Sequence, residues 1–110
     1  MEIKIFYYTT RSGKSPFYDW QENLDKNSRA VIRTRLDRVK IGNLGDFKQI
    51  KNGCGIYELR ISYGPGFRIY FGKKGNKIII LLIGGSKRSQ IKDIEKAKKC
   101  WLECKELNYE

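Results

Sequence analysis

Arg60 and Arg68 flank a short turn, and Glu58 stands two residues before the first of them. Further along, Lys87 and Arg88 follow two glycines in GGSKRSQ, residues 84–90. These are the residue types that grip and polarise a phosphate. A guanidinium offers two parallel donors to phosphate oxygens, and an ammonium acts as a point charge. Glu58 is the nearby carboxylate for proton transfer. The chain has no histidine, so acid–base work falls to Glu, Asp, Lys, Arg, Tyr or Cys.

The global charge points the same way. There are 23 Lys and Arg against 12 Asp and Glu, a net charge of +11. A field of that sign attracts polyanions, or merely keeps a basic protein soluble. The three cysteines are Cys54, Cys100 and Cys104. No pair has C-x-x-C spacing and no histidine completes a zinc site, so they are expected to be structural thiols, with no metal and no cofactor. The apolar run Ile78–Ile83 is too short to span a bilayer, which needs about 20 residues. MEIKIFYY lacks the layout of a signal peptide, because Glu2 and Lys4 interrupt it. A cytoplasmic protein with no membrane partner is the expectation. A length of 110 residues fits one domain, residues 1–110, with a single closed core.

The elements that must position these residues read as follows. Residues 2–8 alternate as a strand, with Ile3 and Ile5 on one face. Ser15-Pro16 reads as an N-cap and first helical residue, and Phe17, Trp20 and Leu24 form the stripe of a short helix. Asn27 or Ser28 is expected to cap a second helix ending at Gly42, with Ile32, Leu36 and Val39 inward and Arg29, Arg33, Arg35, Arg38 and Lys40 outward. Asp46–Lys51, Gly55–Ser62, Phe67–Gly72 and Lys77–Gly84 read as strands, with turns at Gly64-Pro65-Gly66 and Lys74-Gly75-Asn76. Ser89 is expected to cap a last helix with Ile91, Ile94, Ala97 and Trp101 facing in. The class is α+β: β-α-α, an antiparallel meander, then α, with the helices grouped on one face of a small sheet. Both tryptophans fit core stripes.

The hairpin register can be read more closely. Placing Tyr57, Leu59 and Ile61 on the same side as Phe67, Ile69 and Phe71 fixes its parity. With Ile61 opposite Phe67, Arg60 faces Arg68, and Glu58 faces Tyr70 and lies diagonal to Arg68. Like charges directly across a ladder repel. The pair is favourable when an anion bridges it; the alternative is a solvated sheet face partly neutralised by Glu58. GGSKRSQ also leaves two readings open: an anion site at a helix N-terminus, or a basic loop with a cap. Its spacing is not that of a P-loop.

YELRISYGPGFRIYF followed by LLIGGSKRSQIKDIEKAKKCW resembles the addiction-module killer proteins, the phage-derived HigB-like branch of the RelE/ParE toxin superfamily. PFYDW and the order of elements fit the same group, and the likeness covers nearly the whole chain. The Y-G-P-G-[FY]-R and G-G-[SD]-K-x-x-Q-x-x-D-I elements are its most specific parts. The resemblance implies a compact toxin held by a cognate antitoxin, usually a helix-turn-helix protein encoded beside it. RelE-type members cut mRNA in the ribosomal A site; ParE-type members inhibit gyrase. By position, the resemblance makes Arg68 the arginine on the scissile phosphate. It sets Arg60 near a catalytic lysine of the preceding strand, Lys87 or Arg88 at the basic position after the last strand, and Glu58 near positions used for acid–base work. Many relatives use a histidine or tyrosine near the C-terminal end, and residues 87–100 offer neither; Tyr109 is given no role.

The expected reaction is in-line attack of a ribose 2′-OH on the adjacent phosphate, giving a 2′,3′-cyclic phosphate and a 5′-OH end without a metal. Arg68 and Arg60 would stabilise charge on the phosphate, Glu58 would act as base, and Lys87 or Arg88 would assist the leaving oxygen. Groups with pKa values far from 7 make a poor free ribonuclease, which suits an enzyme whose substrate the ribosome holds. Arg29, Arg33, Arg35, Lys73 and Lys74 are expected to contact RNA or the ribosome. Lys92, Lys96, Lys98 and Lys99 leave the last helix basic, a surface open to an acidic antitoxin segment. Two other readings stay open: a gyrase inhibitor that cuts nothing, and a non-catalytic RNA-binding member.

Overall fold

A computed structural model describes residues 2–52 and 54–106. Tyr109 therefore lies outside the described residues. The order is β1 (Lys4–Tyr7), α1 (Pro16–Glu22), α2 (Lys26–Lys40), β2 (Phe47–Gln49), β3 (Ile56–Ile61), β4 (Phe67–Lys74), β5 (Ile78–Ser86), a 3₁₀ turn (Lys87–Ser89) and α3 (Gln90–Glu106). The five strands form one sheet in the order β1-β5-β4-β3-β2. β1 runs parallel to β5, and the other pairs are antiparallel. This is the expected α+β class.

Local chemistry explains most boundaries. Ser15 caps α1 by accepting from the Tyr18 N–H, with Pro16 in the first turn. The cap of α2 is Asp25, not Asn27 or Ser28. Its carboxylate accepts from the Ser28 N–H at 3.2 Å and the Ser28 hydroxyl at 2.6 Å. That double acceptance holds the Asp25 pKa below its ordinary value, and a carboxylate suits the positive end of a helix.

The expectation of one helical face is overturned. Phe17 of α1 and Ile32, Leu36 and Val39 of α2 pack with Leu59, Ile61, Phe67, Ile69, Phe71, Ile79 and Leu81 on one face of the sheet. Ala97, Trp101 and Cys104 of α3 pack with Ile56, Tyr70, Ile80, Leu82 and Ile83 on the other. The sheet is thus the middle of three layers. An irregularity in the β4–β5 register, where Tyr70 pairs with Ile83 but Phe71 with Leu81, leaves Leu82 as an extra residue. Leu82 and Ile83 consequently face the same side, as a bulge allows. Trp20 and Trp101 are core residues as expected. The Trp20 indole lies where a side chain on Gly84 would sit, with its Cε3 only 2.1 Å from that position. Ile91, expected inward, is 84% exposed. The buried stripe of α3 runs through Asp93, Ala97, Trp101 and Cys104, and Ile91 falls off that stripe at 100° per residue. None of the described helices is long and apolar enough to cross a membrane.

Candidate functional site

The ladder between β3 and β4 sets Ile61 opposite Phe67, Arg60 opposite Arg68 and Glu58 opposite Tyr70; parity fixed only the shared face, and the register is the one of Ile61 against Phe67 and not one shifted by two residues. The 63–66 turn brings Gly66 N–H onto the Tyr63 carbonyl at 2.9 Å, and Gly64 and Gly66 take the positive φ that a side chain would resist. The Gly66 carbonyl then accepts from the Lys87 N–H at 2.8 Å. This bond ties the start of the 3₁₀ turn to the hairpin. Arg68 Nη1 lies within 3.8 Å of where a Gly66 side chain would begin, and Lys87 Cβ within 3.6 Å. Arg68 and Lys87 are therefore neighbours at one end of the sheet. Arg88 is exposed in the same turn.

The two facing arginines avoid each other by turning to different carboxylates. Arg60 binds Asp46 Oδ1 through Nη2 at 2.9 Å and Nε at 3.2 Å. Arg68 Nε stands 4.0 Å from Glu58 Oε2, and Arg68 Nη1 donates to the Phe67 carbonyl at 3.1 Å. Asp46 was missed in the sequence. Its signal was the pairing of β2 with β3: with Phe47 opposite Leu59, the preceding Asp46 falls beside Arg60, and the Arg60 N–H donates to its carbonyl at 2.9 Å.

Glu58 differs from expectation in its surroundings. A solvated face was one of the two readings open for these residues, and it does not hold here: the Glu58 side chain is 0% exposed and that of Arg68 only 13%. The first turn of α3 covers them. Gln90 Nε2 donates to Glu58 Oε2 at 2.6 Å. Ser89 donates to the Asp93 carboxylate, and Gly85 leaves room for that carboxylate, whose Oδ2 lies 1.8 Å from where its side chain would begin. Among the described residues, Arg68 Nε is buried without a hydrogen-bond partner, and the Tyr70 hydroxyl is buried beside the Glu58 carboxylate. Burial, and then the Glu58 charge, push the Tyr70 phenol well above its ordinary pKa. A sealed carboxyl does not reach a substrate hydroxyl. Its geometry suits holding Arg68 instead. Gln90 and Asp93 are the Q and D of the G-G-[SD]-K-x-x-Q-x-x-D-I stretch, so the sequence carried them without revealing their contacts.

The other candidates lie elsewhere. Arg33 is exposed and Arg29 half-buried on α2, on the sheet face opposite Arg68. Arg35 does not point outward. Its guanidinium donates to the carbonyls of Arg60, Leu44 at 2.8 Å and Asp46 at 2.9 Å, clamping α2 to the segment before β2, and burial lowers its pKa. Lys73 Nζ sits 4.7 Å from the Tyr57 ring centre and 5.4 Å from that of Phe47. Lys73 and half-buried Lys74 end β4, five or six residues from Arg68, about 17–20 Å at 3.4 Å per residue. The structure gathers Arg68, Glu58 and Lys87 at one end and does not bring the α2 arginines or Lys73 and Lys74 to them. Cys100 is half-buried, with its thiol pushed up to about 11 by burial; Cys104 is buried and raised as well. Among the described residues no group of His, Cys, Asp and Glu is arranged to hold a metal ion.

Comparison with known proteins adds the chain's lineage. Residues 19–101 match the family described as phage derived protein Gp49-like (DUF891). An uncharacterized protein of Haemophilus influenzae is 41% identical over 83 residues, which is 74% of this chain and 82% of that protein.

Proposed function

The chain belongs to the phage-derived Gp49-like family, and from that membership and the geometry of Arg68 we propose that it is the toxin of a type II toxin–antitoxin module, a HigB-like ribosome-dependent mRNA endonuclease. The observation that carries the reading is the convergence of Arg68 and Lys87 at the hairpin turn, fixed by the bond from Lys87 to Gly66. Phage-derived small basic proteins of RelE-like build suit this role, and a net charge of +11 favours a polyanionic target.

In the proposed reaction the ribose 2′-oxygen attacks the adjacent phosphorus and loses its proton. The P–O5′ bond breaks, and the 5′-oxygen takes up a proton. The products are a 2′,3′-cyclic phosphate and a 5′-OH. Arg68 binds the non-bridging oxygens and stabilises the charge that grows on them. Lys87 and Arg88 add positive charge beside the leaving oxygen, and Arg60 adds to the field from across the ladder. Glu58 acts as a positioning residue for Arg68. The chain's contribution is electrostatic and orientational, which leaves the bending of the substrate to the ribosome. Arg29, Arg33, Lys73 and Lys74 are further candidates for ribosomal RNA phosphates, and the partner that silences the protein is a helix-turn-helix antitoxin encoded beside it.

A second reading, a gyrase inhibitor that cuts nothing, is favoured by the sealing of Glu58, which leaves the arginines without an accessible base. Expression of wild type and Arg68→Ala separates them. Arrest of growth with cut transcripts, lost in the variant, supports the nuclease. Arrest with intact transcripts and an SOS response supports the inhibitor.

A further inference from the structure

Two glycines let two unlike side chains settle on one strand. Gly84 and Gly85 are consecutive in β5 and so present opposite faces of the sheet. A side chain on Gly84 would meet the Trp20 indole of α1, and one on Gly85 would meet the Asp93 carboxylate of α3. A groove of about 770 Å³ opens between those two helices, and Trp20 and Asp93 both line it. Pockets that take small ligands run from about 300 to 1,000 Å³. The Trp20 ring is fixed by its neighbours, with the Phe17 ring 5.6 Å away and the Phe67 ring 5.8 Å away, edge-on. Asp93 is 7% exposed, and Ser89 donates to its Oδ2.

The groove adjoins the Arg68 site. Gly85 pairs with Arg68 across the β4–β5 ladder, and Pro65 and Phe67 of the hairpin also line the groove. Its chemistry is divided. The bed holds an aromatic ring and a carboxylate, while Lys96 and Lys99 line it as exposed cations. An ionised carboxylate only accepts hydrogen bonds, so the bed turns away phosphates and acidic side chains and calls for an N–H donor. A basic peptide would satisfy Asp93 but would meet the two lysines and a net charge of +11. A second copy of this chain meets the same repulsion. A nucleotide meets every demand: a flat ring for the indole, an amino group for the carboxylate, and phosphates for the lysines.

We propose that the groove between α1 and α3 is a nucleobase pocket, which takes an amino-bearing base (cytosine, adenine or guanine) of the RNA nucleotide next to the phosphate at Arg68. Trp20 gives the base its stacking surface. Asp93 accepts from the exocyclic amine, and Lys96 and Lys99 hold the flanking phosphate. Uracil is disfavoured, because a carbonyl oxygen replaces the amine and faces the carboxylate. The proposal rests on the reading of this chain as an RNA-cutting toxin and deepens it by giving that site a base preference. Asp93 acts here as a specificity residue and Arg68 keeps the phosphate.

The test titrates the whole chain, labelled with ¹⁵N, with the RNA trinucleotides CCC and UUU and with an abasic ribose-phosphate trimer. CCC is expected to shift the Trp20 indole and the amides of Gly84, Gly85 and Asp93. It should bind about tenfold or more tighter than UUU, as one hydrogen bond to a charged acceptor predicts. The abasic trimer should shift Lys87 and Arg88 and leave Trp20 unmoved. Asp93→Asn, checked for fold by circular dichroism, should bring CCC and UUU to equal affinity, because an amide both donates and accepts. A trimer of dimethylated cytidine, whose exocyclic nitrogen carries no hydrogen, probes the same contact without touching the fold and should fall to the UUU level. Lys96→Ala with Lys99→Ala, both at exposed positions, should weaken CCC and UUU alike. No shift of the Trp20 indole, equal binding of CCC and UUU by the wild type, full affinity of the dimethylated trimer, or undiminished binding by the lysine double variant would each overturn the proposal. Transcript cutting is scored separately. A chain that cuts mRNA on ribosomes but gives no Trp20 shift sinks the pocket and keeps the nuclease, and a chain that binds CCC as described but cuts nothing does the reverse.

Discussion

Replacing Gln90 with leucine probes the arrangement behind Arg68. The Glu58 side chain is 0% exposed, with Arg68 Nε 4.0 Å from its Oε2 and the Gln90 amide donating to that same oxygen at 2.6 Å. Leucine keeps much of the volume and removes the donor. Stranding a buried acceptor costs about 1–3 kcal/mol, and more if it is charged. Gln90 itself is half-buried, so water entering at its edge offsets part of this. The expected loss is about 2 kcal/mol, equivalent to a fall in Tm of about 8 °C at the low end of the range for domains of this size. Urea unfolding followed by circular dichroism measures it directly. The double variant Glu58→Leu with Gln90→Leu removes both partners and should lose at least 1 kcal/mol less than the two single variants summed, in line with coupling between contacting residues. A Gln90→Leu protein within about 0.5 kcal/mol of wild type, the spread of ordinary surface changes, would refute the reasoning. So would strict additivity in the cycle.

Three further outcomes follow from particular contacts. Gly84→Ala should destabilise by about 1–3 kcal/mol, because a methyl there meets the Trp20 ring at 2.1 Å; quenched or shifted tryptophan fluorescence would accompany the lower urea midpoint. Arg35→Ala should lower stability by about 1–3 kcal/mol, since its three carbonyl acceptors lose a charged donor, and Arg35→Lys should not restore it because an ammonium lacks the planar fork; equal stability would return Arg35 to the surface role expected from the sequence. Cys100 should resist alkylation. A raised thiol pKa means fewer thiolates at any pH below it, so with its value about 11 against an ordinary 9.0 the thiolate fraction at pH 8 is lower by about a hundredfold, and mass spectrometry should find exposed Cys54 labelled first.

Much of the fold was readable because period and parity constrain it. The alternation in YELRI and FRIYF admits one facing of the hairpin, and Arg60 does stand across from Arg68. The stripe of Ile32, Leu36 and Val39 likewise sets the inner side of α2. What was hidden depended on distant partners. Glu58 and Arg60 alternate with apolar residues just as a solvated face does; nothing local says that α3 returns 32 residues later to place Gln90 on Glu58. Arg35 sits on the outer side of a helical wheel, but a long side chain can bend back to carbonyls that only the folded segment before β2 presents. The misplacement of Ile91 was avoidable. Helical spacing from Trp101 and Ala97 leads back to Asp93 and Gln90, and the pull of an apolar residue obscured it. In the site, residue types were legible and their division of labour was not, because whether a carboxyl is open or sealed is a property of packing.

The central claim is that Arg68 acts on a phosphate of mRNA held in the ribosome. Primer extension on a defined message, with and without translating ribosomes, compares wild type with Arg68→Ala of verified fold. The account predicts cuts within codons, present only with ribosomes and lost in the variant. Intact message under folded, toxic wild-type protein, or equal cutting by Arg68→Ala, would contradict it.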